Sequence, residues 1–385
     1  MPADKSKSKV NIMFLGLRGI PKVQGGIEKH VEHLAPLIVD RGLSVEVVGR
    51  SAYLPEQVGK KWQGVALTWL PCPKNKFFET IFHTFFGVCR AAWTRPDVLH
   101  LHAVGPALMT PVARLAGLKV AVTHHGYDYN RDKWGPVAKA ILKAGEYLGM
   151  KFANLRIAIS KDISTTMKTR YGVDVHFVPN GMPGSGASKG AERIEAFGLK
   201  PANYIMVAAR LVPEKRQLDL IKAYARMSNP GGIQLAVVGG SDHPDEYEKK
   251  VRIEADKTPG VVMTGFQSGE ALSELFANAR LFVLPSSHEG MPIALLEALG
   301  YGLPVLASDI VPNKEIGLCQ RDYFPVGDIN ELTKALERKL ADPMNAETKR
   351  EQIERFHQMY GWDTVAEETF RLYRGILHEK CLGSE

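Results

Sequence analysis

Cysteine is scarce in this chain of 385 residues: there are four, Cys72, Cys89, Cys319 and Cys381. They are scattered, with no Cys-x-x-Cys pair, which argues against a zinc site or a disulfide framework and for reduced thiols in a cytosol. Long apolar runs are missing as well. None reaches the roughly 18 residues that a membrane-spanning helix needs. Residues 1–9 are polar and Lys-rich without an apolar core, so they read as a disordered tail and not as a secretory leader. No Gly-x-Gly-x-x-Gly and no Walker A sequence occurs, which weakens any dinucleotide or ATP reading.

What remains is ordinary globular material, 45% hydrophobic and 24% charged, at a length comfortable for two domains. The net charge of +7 hides an asymmetry. Residues 1–180 carry 25 Lys and Arg against 13 Asp and Glu, giving +12; residues 181–385 carry 24 against 29, giving −5. A basic half suits an anionic partner, whether a membrane surface, a phosphate-bearing substrate or nucleic acid, or else it is a plain solvated surface.

The stretch that organises the chain runs from Ser286 through His288-Glu289-Gly290-Met291-Pro292 to Leu299. It follows an apolar run, residues 280–285, that reads as a short buried strand, and it leads into a helical pattern. Two carboxylates stand eight positions apart, Glu289 in the turn and Glu297 inside the helix. A Gly-Met-Pro turn between them aims backbone N–H groups at the same space. Amides there can hold an anion while the carboxylates take hydroxyls, and a nucleotide-linked sugar has both kinds of group.

In the first half, residues 10–17 read as a strand, 28–41 as a helix and 43–49 as the next strand. Between the first two lies a Gly-rich loop with Gly25-Gly26 and Glu28. That is a βαβ unit with a phosphate-capable loop, although paired glycines also make plain tight turns and Glu28 can simply complement the helix dipole. Residues 97–102 and 119–123 read as strands, ending at His102 and running into His124-His125-Gly126-Tyr127-Asp128. Ligands of open α/β sheets bind outside the carboxyl ends of strands, so these polar ends are site candidates. Neighbours on a strand point to opposite faces, so one of His124 and His125 is expected to face the ligand, and the sequence leaves open which. Residues 74–93 form an aromatic, basic helical pattern that either lies on an anionic membrane or packs its rings on the sheet. Residues 156–160 and 176–178 complete the strands of this half, with a helix over 161–171. A Pro/Gly/Ser cluster over 183–190 reads as an interdomain linker or a mobile loop beside it.

The second half repeats the plan. Strands are expected at 204–208, 234–238, 261–265, 281–284 and 304–308, and helices at about 218–227, 270–277, 331–340 and 363–380. The first strand runs into a loop bearing Arg210, Lys215 and Arg216, cations that suit a diphosphate or pair with nearby acids. The sum is an α/β protein of two Rossmann-like, doubly wound domains facing across a cleft.

Taken together, these motifs resemble the retaining glycosyltransferases of family 4, which have the GT-B fold. The carriers are Gly25-Gly26-Ile27-Glu28, Thr123-His124-His125-Gly126, Arg210 with Glu214-Lys215, and Glu289 to Glu297 as an E-x7-E motif. The first half looks most like bacterial enzymes of exopolysaccharide, capsule or O-antigen synthesis. The resemblance implies an acceptor-binding domain over 10–182, a linker over 183–200, a donor domain over 201–362, and a final helix, 363–385, that crosses back to the first domain. It further implies His125 and Glu289 as catalytic residues. Gly25, Gly26, Arg210, Lys215, Gly265, Phe266, Gly290, Met291, Pro292 and Glu297 would hold the donor, with Glu297 on the ribose. Glu28, His102 and Asp128 are acceptor-side candidates. No metal or other cofactor is expected, and no Asp-x-Asp occurs. The expected partners are a UDP- or GDP-sugar and a saccharide or polyprenyl-linked acceptor, with an anionic membrane surface as a candidate and nucleic acid not expected. The expected location is the cytoplasm, with peripheral contact to the inner face of the membrane as the variant. A sugar-nucleotide epimerase or phosphorylase of the same fold, and a basic binding module, are the competing readings.

Overall fold

The computed structural model describes residues 9–54, 58–73, 79–131, 134–183, 190–228, 232–241 and 245–382. The chain divides into two units, Met1–Pro179 with Asp363–Glu385, and Asn180–Trp362.

The first unit is built on an eight-stranded sheet. Its strands are β1 (Asn11–Leu15), β2 (Ser44–Arg50), β3 (Lys61–Trp62), β4 (Val65–Leu70), β5 (Val98–His102), β6 (Val120–His124), β7 (Leu155–Ala158) and β8 (His176–Phe177), in the order β3-β4-β2-β1-β5-β6-β7-β8. Every described pairing is parallel except β3 with β4. The central strands β1, β5 and β6 are buried along almost their whole length, as strands covered on both faces must be, and they read as near-continuous apolar runs. The helices are α1 (Gly26–Asp40), α2 (Glu79–Thr94), α3 (Val104–Ala107), α4 (Thr110–Leu115), α5 (Pro136–Phe152) and α6 (Lys161–Tyr171). Sequence explains the ends of α6 well. Ser160 accepts a hydrogen bond from the Ile163 amide at 3.1 Å, and Gly172 closes the helix with φ 61°.

The β3–β4 hairpin escapes a reading based on apolar patterning. Its two-residue turn is Gln63-Gly64, both left-handed at φ 44° and 79°, a conformation that Asn-Gly signals more clearly than Gln-Gly does.

The second unit has α7 (Glu192–Glu195), then β9 (Tyr204–Ala208), α8 (Gln217–Ala225), β10 (Gln234–Val238), α9 (Glu246–Lys257), β11 (Val261–Gly265), α10 (Gly269–Asn278), β12 (Leu281–Leu284), α11 (Ile293–Gly300), β13 (Val305–Ser308), α12 (Val311–Lys314), β14 (Tyr323–Phe324), α13 (Ile329–Ala341) and α14 (Ala346–Tyr360). Its six strands are all parallel, in the order β11-β10-β9-β12-β13-β14. The order reverses at β9, where β10 lies on one side and β12 on the other. Loops leaving a strand pair at such a point part to opposite faces and open a crevice.

The expected linker over 183–200 is corrected by the structure. Residues 190–200 are part of the second unit: Ile194 and Leu199 are buried, and the Arg193 guanidinium pairs with Glu274 at 2.5 Å and with Glu270. The Met182 amide already bonds to the Tyr360 carbonyl within this unit, so the change of unit falls at Pro179 and Asn180. The Gly/Ser cluster of 184–189 lies outside the described residues.

The last helix, α15 (Trp362–Leu382), belongs to the first unit from Asp363 onward. Arg41 holds its start through the Asp363 carbonyl and the Glu367 carboxylate, both at 3.0 Å. Farther along, the Tyr373 hydroxyl meets His100 and Lys119 donates to the Ile376 carbonyl.

Helix α2 decides one of the two readings of the aromatic segment, the packing of its rings on the sheet. It buries His83, Thr84, Gly87, Val88 and Ala91, and Gly87 lies so close to Leu15 of β1 that a Cβ would sit 2.4 Å from it. Ile81, Phe82, Phe85, Phe86 and Trp93 lie on the exposed side. These rings therefore do not pack on the sheet, because other residues, Gly87 and Ala91 among them, hold that face. Phe77 and Phe78 lie outside the described residues.

Candidate functional site

In the second unit the expected donor residues gather at the carboxyl ends of neighbouring strands. The loop after β9 carries Arg210 to Arg216, and the loop after β12 carries Ser286 to Pro292. The two are stitched together: the Ser287 amide donates to the Glu214 carbonyl at 2.9 Å. Lys215 Nζ then lies 2.5 Å from Glu289 Oε1, with both side chains largely buried. The sequence assigns these two residues separate partners; the structure pairs them with each other.

Supports surround that pair. Gln217 donates to the Arg210 carbonyl at 2.8 Å and accepts from the Tyr247 hydroxyl at 3.1 Å, which fixes the course of the first loop. Asn180 donates its side-chain amide to the Met291 carbonyl at 2.9 Å, fixing the turn before α11. Ser308 donates to the Ser286 carbonyl, and Asn313 donates to the Ser308 carbonyl at 2.9 Å. Pro292 caps α11, so the first amides of that helix lie just beyond Gly290 and Met291. Glu297 is buried one turn into the same helix.

The ends of β10 and β11 complete this edge. Gly239 has φ 145°, and a Cβ there would lie 1.9 Å from the Ala209 carbonyl oxygen, so only glycine fits. Its amide bonds to the Gly265 carbonyl at 2.9 Å, and Phe266 follows, a residue 44% exposed. A large aromatic ring held at a strand end and left open is suited to stacking. Arg210, Lys215, Gly265, Phe266, Glu289 to Pro292 and Glu297 thus all sit on the loops and helix starts at one edge of one sheet.

In the first unit the picture divides. Gly25 has φ 151°, and a Cβ there would lie 1.9 Å from Glu28 Oε2. Glu28 is buried and accepts from the Arg18 amide at 3.0 Å. It therefore holds the loop after β1 internally and is not open to an acceptor, which corrects that expectation. Gly26, the first residue of α1, has nothing within 4 Å of its Cβ position. Of the two glycines, Gly25 answers to Glu28 and Gly26 leaves space for a ligand.

His124 and His125 separate cleanly. His124 is buried, with Nε2 2.9 Å from Glu146 and Nδ1 accepting from the Gly126 amide at 3.2 Å. Burial opposes charge on Glu146, but hydrogen bonds from His124, Tyr171 and Tyr129 outweigh it and lower its pKa to about 2. Arg170 adds an ion pair at 2.9 Å. His125 is half-buried at the end of the same strand, with Nε2 2.9 Å from His102 Nδ1. His102 is fully buried, so it stands behind His125 and not against an acceptor; this too corrects its expected place. Asp128 remains partly exposed, paired with Arg131 at 3.0 Å.

Behind His102 come residues that patterning does not single out. His100 stacks on His102 at 4.3 Å, and its nitrogens meet the Tyr373 hydroxyl at 2.5 Å and Thr123 Oγ1 at 2.7 Å. His30 of α1 lies edge-on to His125 at 5.1 Å. Burial, and then charge on His30, lower the His100 pKa to about 3. Burial, then the neighbouring imidazoles, hold His102 and His125 well below the usual histidine value of 6.5. The alternation His100-x-His102 is the one signal in the sequence that places two imidazoles on one face of a strand. Among the described residues, no group of three or more His, Cys, Asp or Glu is placed to hold a metal ion. No helix among them is long and apolar enough to cross a membrane.

Two Rossmann-like units, each with its candidate site residues at the carboxyl ends of parallel strands, are the units of which the GT-B fold of glycosyltransferases is built. The model of the glycosyl transferases group 1 matches residues 191–358, and that of glycosyltransferase family 4 matches residues 24–183. The chain belongs to the glycosyltransferases of family 4. It is similar to the UDP-Gal:alpha-D-GlcNAc-diphosphoundecaprenol alpha-1,3-galactosyltransferase of Escherichia coli, 26% identical over 64% of this chain and 67% of that protein. It is also similar to the 2-deoxystreptamine N-acetyl-D-glucosaminyltransferase of Streptomyces fradiae, 25% identical over 91% of each. Among solved structures, the sucrose-phosphate synthase of Thermosynechococcus elongatus superposes with a TM-score of 0.82 at 19% identity, covering 96% of this chain and all of that one. HepE of Anabaena, in complex with UDP and glucose, gives 0.74 at 18% identity, over 95% and 100%. The Escherichia coli and Streptomyces fradiae relatives are transferases, which does not favour the epimerase reading.

Proposed function

We propose that this enzyme transfers a sugar, with retention of anomeric configuration, from a UDP- or GDP-sugar to a saccharide or polyprenyl-linked acceptor in bacterial surface polysaccharide synthesis. The observation that carries the donor site is the Lys215–Glu289 pair at the joined ends of β9 and β12. A largely buried ion pair contributes little net stability, so its place on a strand-end loop speaks for a role with a ligand. The relatives' names support the substrate class: one uses UDP-Gal with a diphosphoundecaprenol-linked sugar, and HepE binds UDP and glucose.

The chemistry follows from the charges. Breaking the anomeric bond develops negative charge on the departing diphosphate. Arg210, Lys215 and the first amides of α11 are preorganised donors for that charge. Glu289 orients Lys215 and faces the sugar, while Glu297 accepts from the ribose hydroxyls. Phe266 and Gly265 lie against the base, and Gly26 gives the phosphates close approach to the β1–α1 loop. We assign His125 to the sugar and Asp128 to the acceptor. Positive side chains and amides do the work that a metal ion does elsewhere, so turnover needs no metal. The enzyme acts in the cytoplasm against the inner membrane face, a placement supported by the outward aromatic side of α2 on a half carrying +12, residues 1–180 with 25 Lys and Arg against 13 Asp and Glu.

Thermal unfolding with UDP-, GDP- and dTDP-sugars tests the donor site, because a ligand of the folded state raises Tm by mass action. One base series should raise Tm in the wild type and lose most of that shift in K215A and E297A. Equal shifts in wild type and both variants would rule out this site.

A further inference from the structure

His125 and His102 share one hydrogen bond, and the surroundings decide which of them donates it. His102 is fully buried and its Nε2 has no hydrogen-bond partner. A neutral imidazole has a single N–H. Placed on His102 Nε2, that hydrogen would be a buried orphan, and orphaned buried N–H groups are rarer than under-satisfied acceptors. Placed on Nδ1, it points at His125 Nε2, 2.9 Å away, and leaves only a lone pair unmatched. Both rings are kept neutral, His102 by burial with His100, His125 and His30, and His125 by burial with His30, His100 and His124. The His102 ring is held in place as well. His100 stacks on it at an interplanar angle of 29°, itself held by Tyr373 and Thr123, and Phe14 lies edge-on at 5.2 Å.

We propose that His102 is a positioning residue that fixes His125 in its Nδ1–H tautomer, so that His125 meets the substrate as a hydrogen-bond donor and not as a general base. With Nε2 occupied by His102, the one hydrogen of neutral His125 is on Nδ1. Of the four imidazoles, His30, His100 and His102 are buried and His125 alone is partly open. Its N–H suits an oxygen of a sugar, and the lone pair that a base would use is already engaged. The proposal rests on the reading that places His125 against the substrate.

Histidine-selective nitrogen-15 labelling with long-range proton–nitrogen correlation spectra reads the tautomer directly, with His125 assigned by the signals lost in H125A. The wild type should show a pyrrole-type Nδ1 and a pyridine-type Nε2 at neutral pH. In H102L, which has no donor, His125 should gain the Nε2–H form and kcat/KM should fall about tenfold, the worth of one hydrogen bond. H102N, whose amide N–H reaches the place of Nδ1, should restore both. An Nε2–H tautomer or an imidazolium at His125 in the wild type overturns the proposal while leaving His125 in the site, and that spectrum needs no variant to fold. H102L with unchanged tautomer and rate overturns the part given to His102. The expected tautomer together with full turnover in H125A overturns instead the reading that His125 meets substrate.

Discussion

Gly25 and Gly26 stand side by side and carry different burdens. A side chain at Gly25 meets both a left-handed backbone and the Glu28 carboxylate, which is held in turn by the Arg18 amide. G25A should cost about 2 kcal/mol in urea unfolding, the order of one strained residue plus a displaced bond. G26A sits at a helix start with open space, so its stability should stay within about 1 kcal/mol of wild type while donor affinity falls. Equal stability losses in the two variants would contradict this division. The sequence makes both glycines candidates, since paired glycines announce close approach without saying to what. The same holds for His124 and His125. Strand alternation shows that they face opposite ways, but the buried Glu146 that captures His124 lies 22 residues on. The internal places of Glu28 and His102 are not legible in the sequence for one reason: their partners are a backbone amide of the preceding loop and an imidazole at the end of a neighbouring strand.

Helix α2 shows what an element adds to its residues. Its inner face is small and close-packed on β1, and its outer face presents Phe82, Phe85, Phe86 and Trp93. An aromatic face of this kind on a basic half suits the headgroup region of an anionic bilayer, the contact proposed above. F85E/F86E should abolish co-sedimentation with vesicles rich in anionic lipid and leave Tm unchanged, since both rings are already exposed. Retained co-sedimentation would remove α2 from membrane contact. Other elements were less legible. In α9 only Glu248, Val251 and Ala255 are buried, so apolar periodicity is faint; its signal is the cap, Asp245 accepting from the Tyr247 and Glu248 amides at 2.9 and 3.1 Å. In α14 only Phe356 and Tyr360 are buried. Helices with so narrow an apolar side are seen by their caps and not by their period.

At the scale of the molecule, the alternation of apolar strand and helix signals suffices for two sheets that are parallel apart from the β3–β4 hairpin, and the strands β9, β10 and β11 fall where the pattern puts them. The point where one unit gives way to the other was harder to read. Gly and Ser signal a loop, whereas the boundary is set by the Met182 amide on the Tyr360 carbonyl and by Arg193 on Glu274, pairings across many residues of chain. The loops proposed to hold the donor are legible because their charges lie at strand ends; that Lys215 and Glu289 meet is not, since it depends on β9 and β12 being neighbours in the sheet. The most direct test of glycosyl transfer is a turnover assay with each common nucleotide-sugar and a bacterial lipid and saccharide extract. Nucleoside diphosphate should appear with one donor, only when acceptor is present, with the sugar recovered in the acceptor product. Absence of nucleoside diphosphate above blank with every donor, or its release at the same rate without acceptor, would contradict the account.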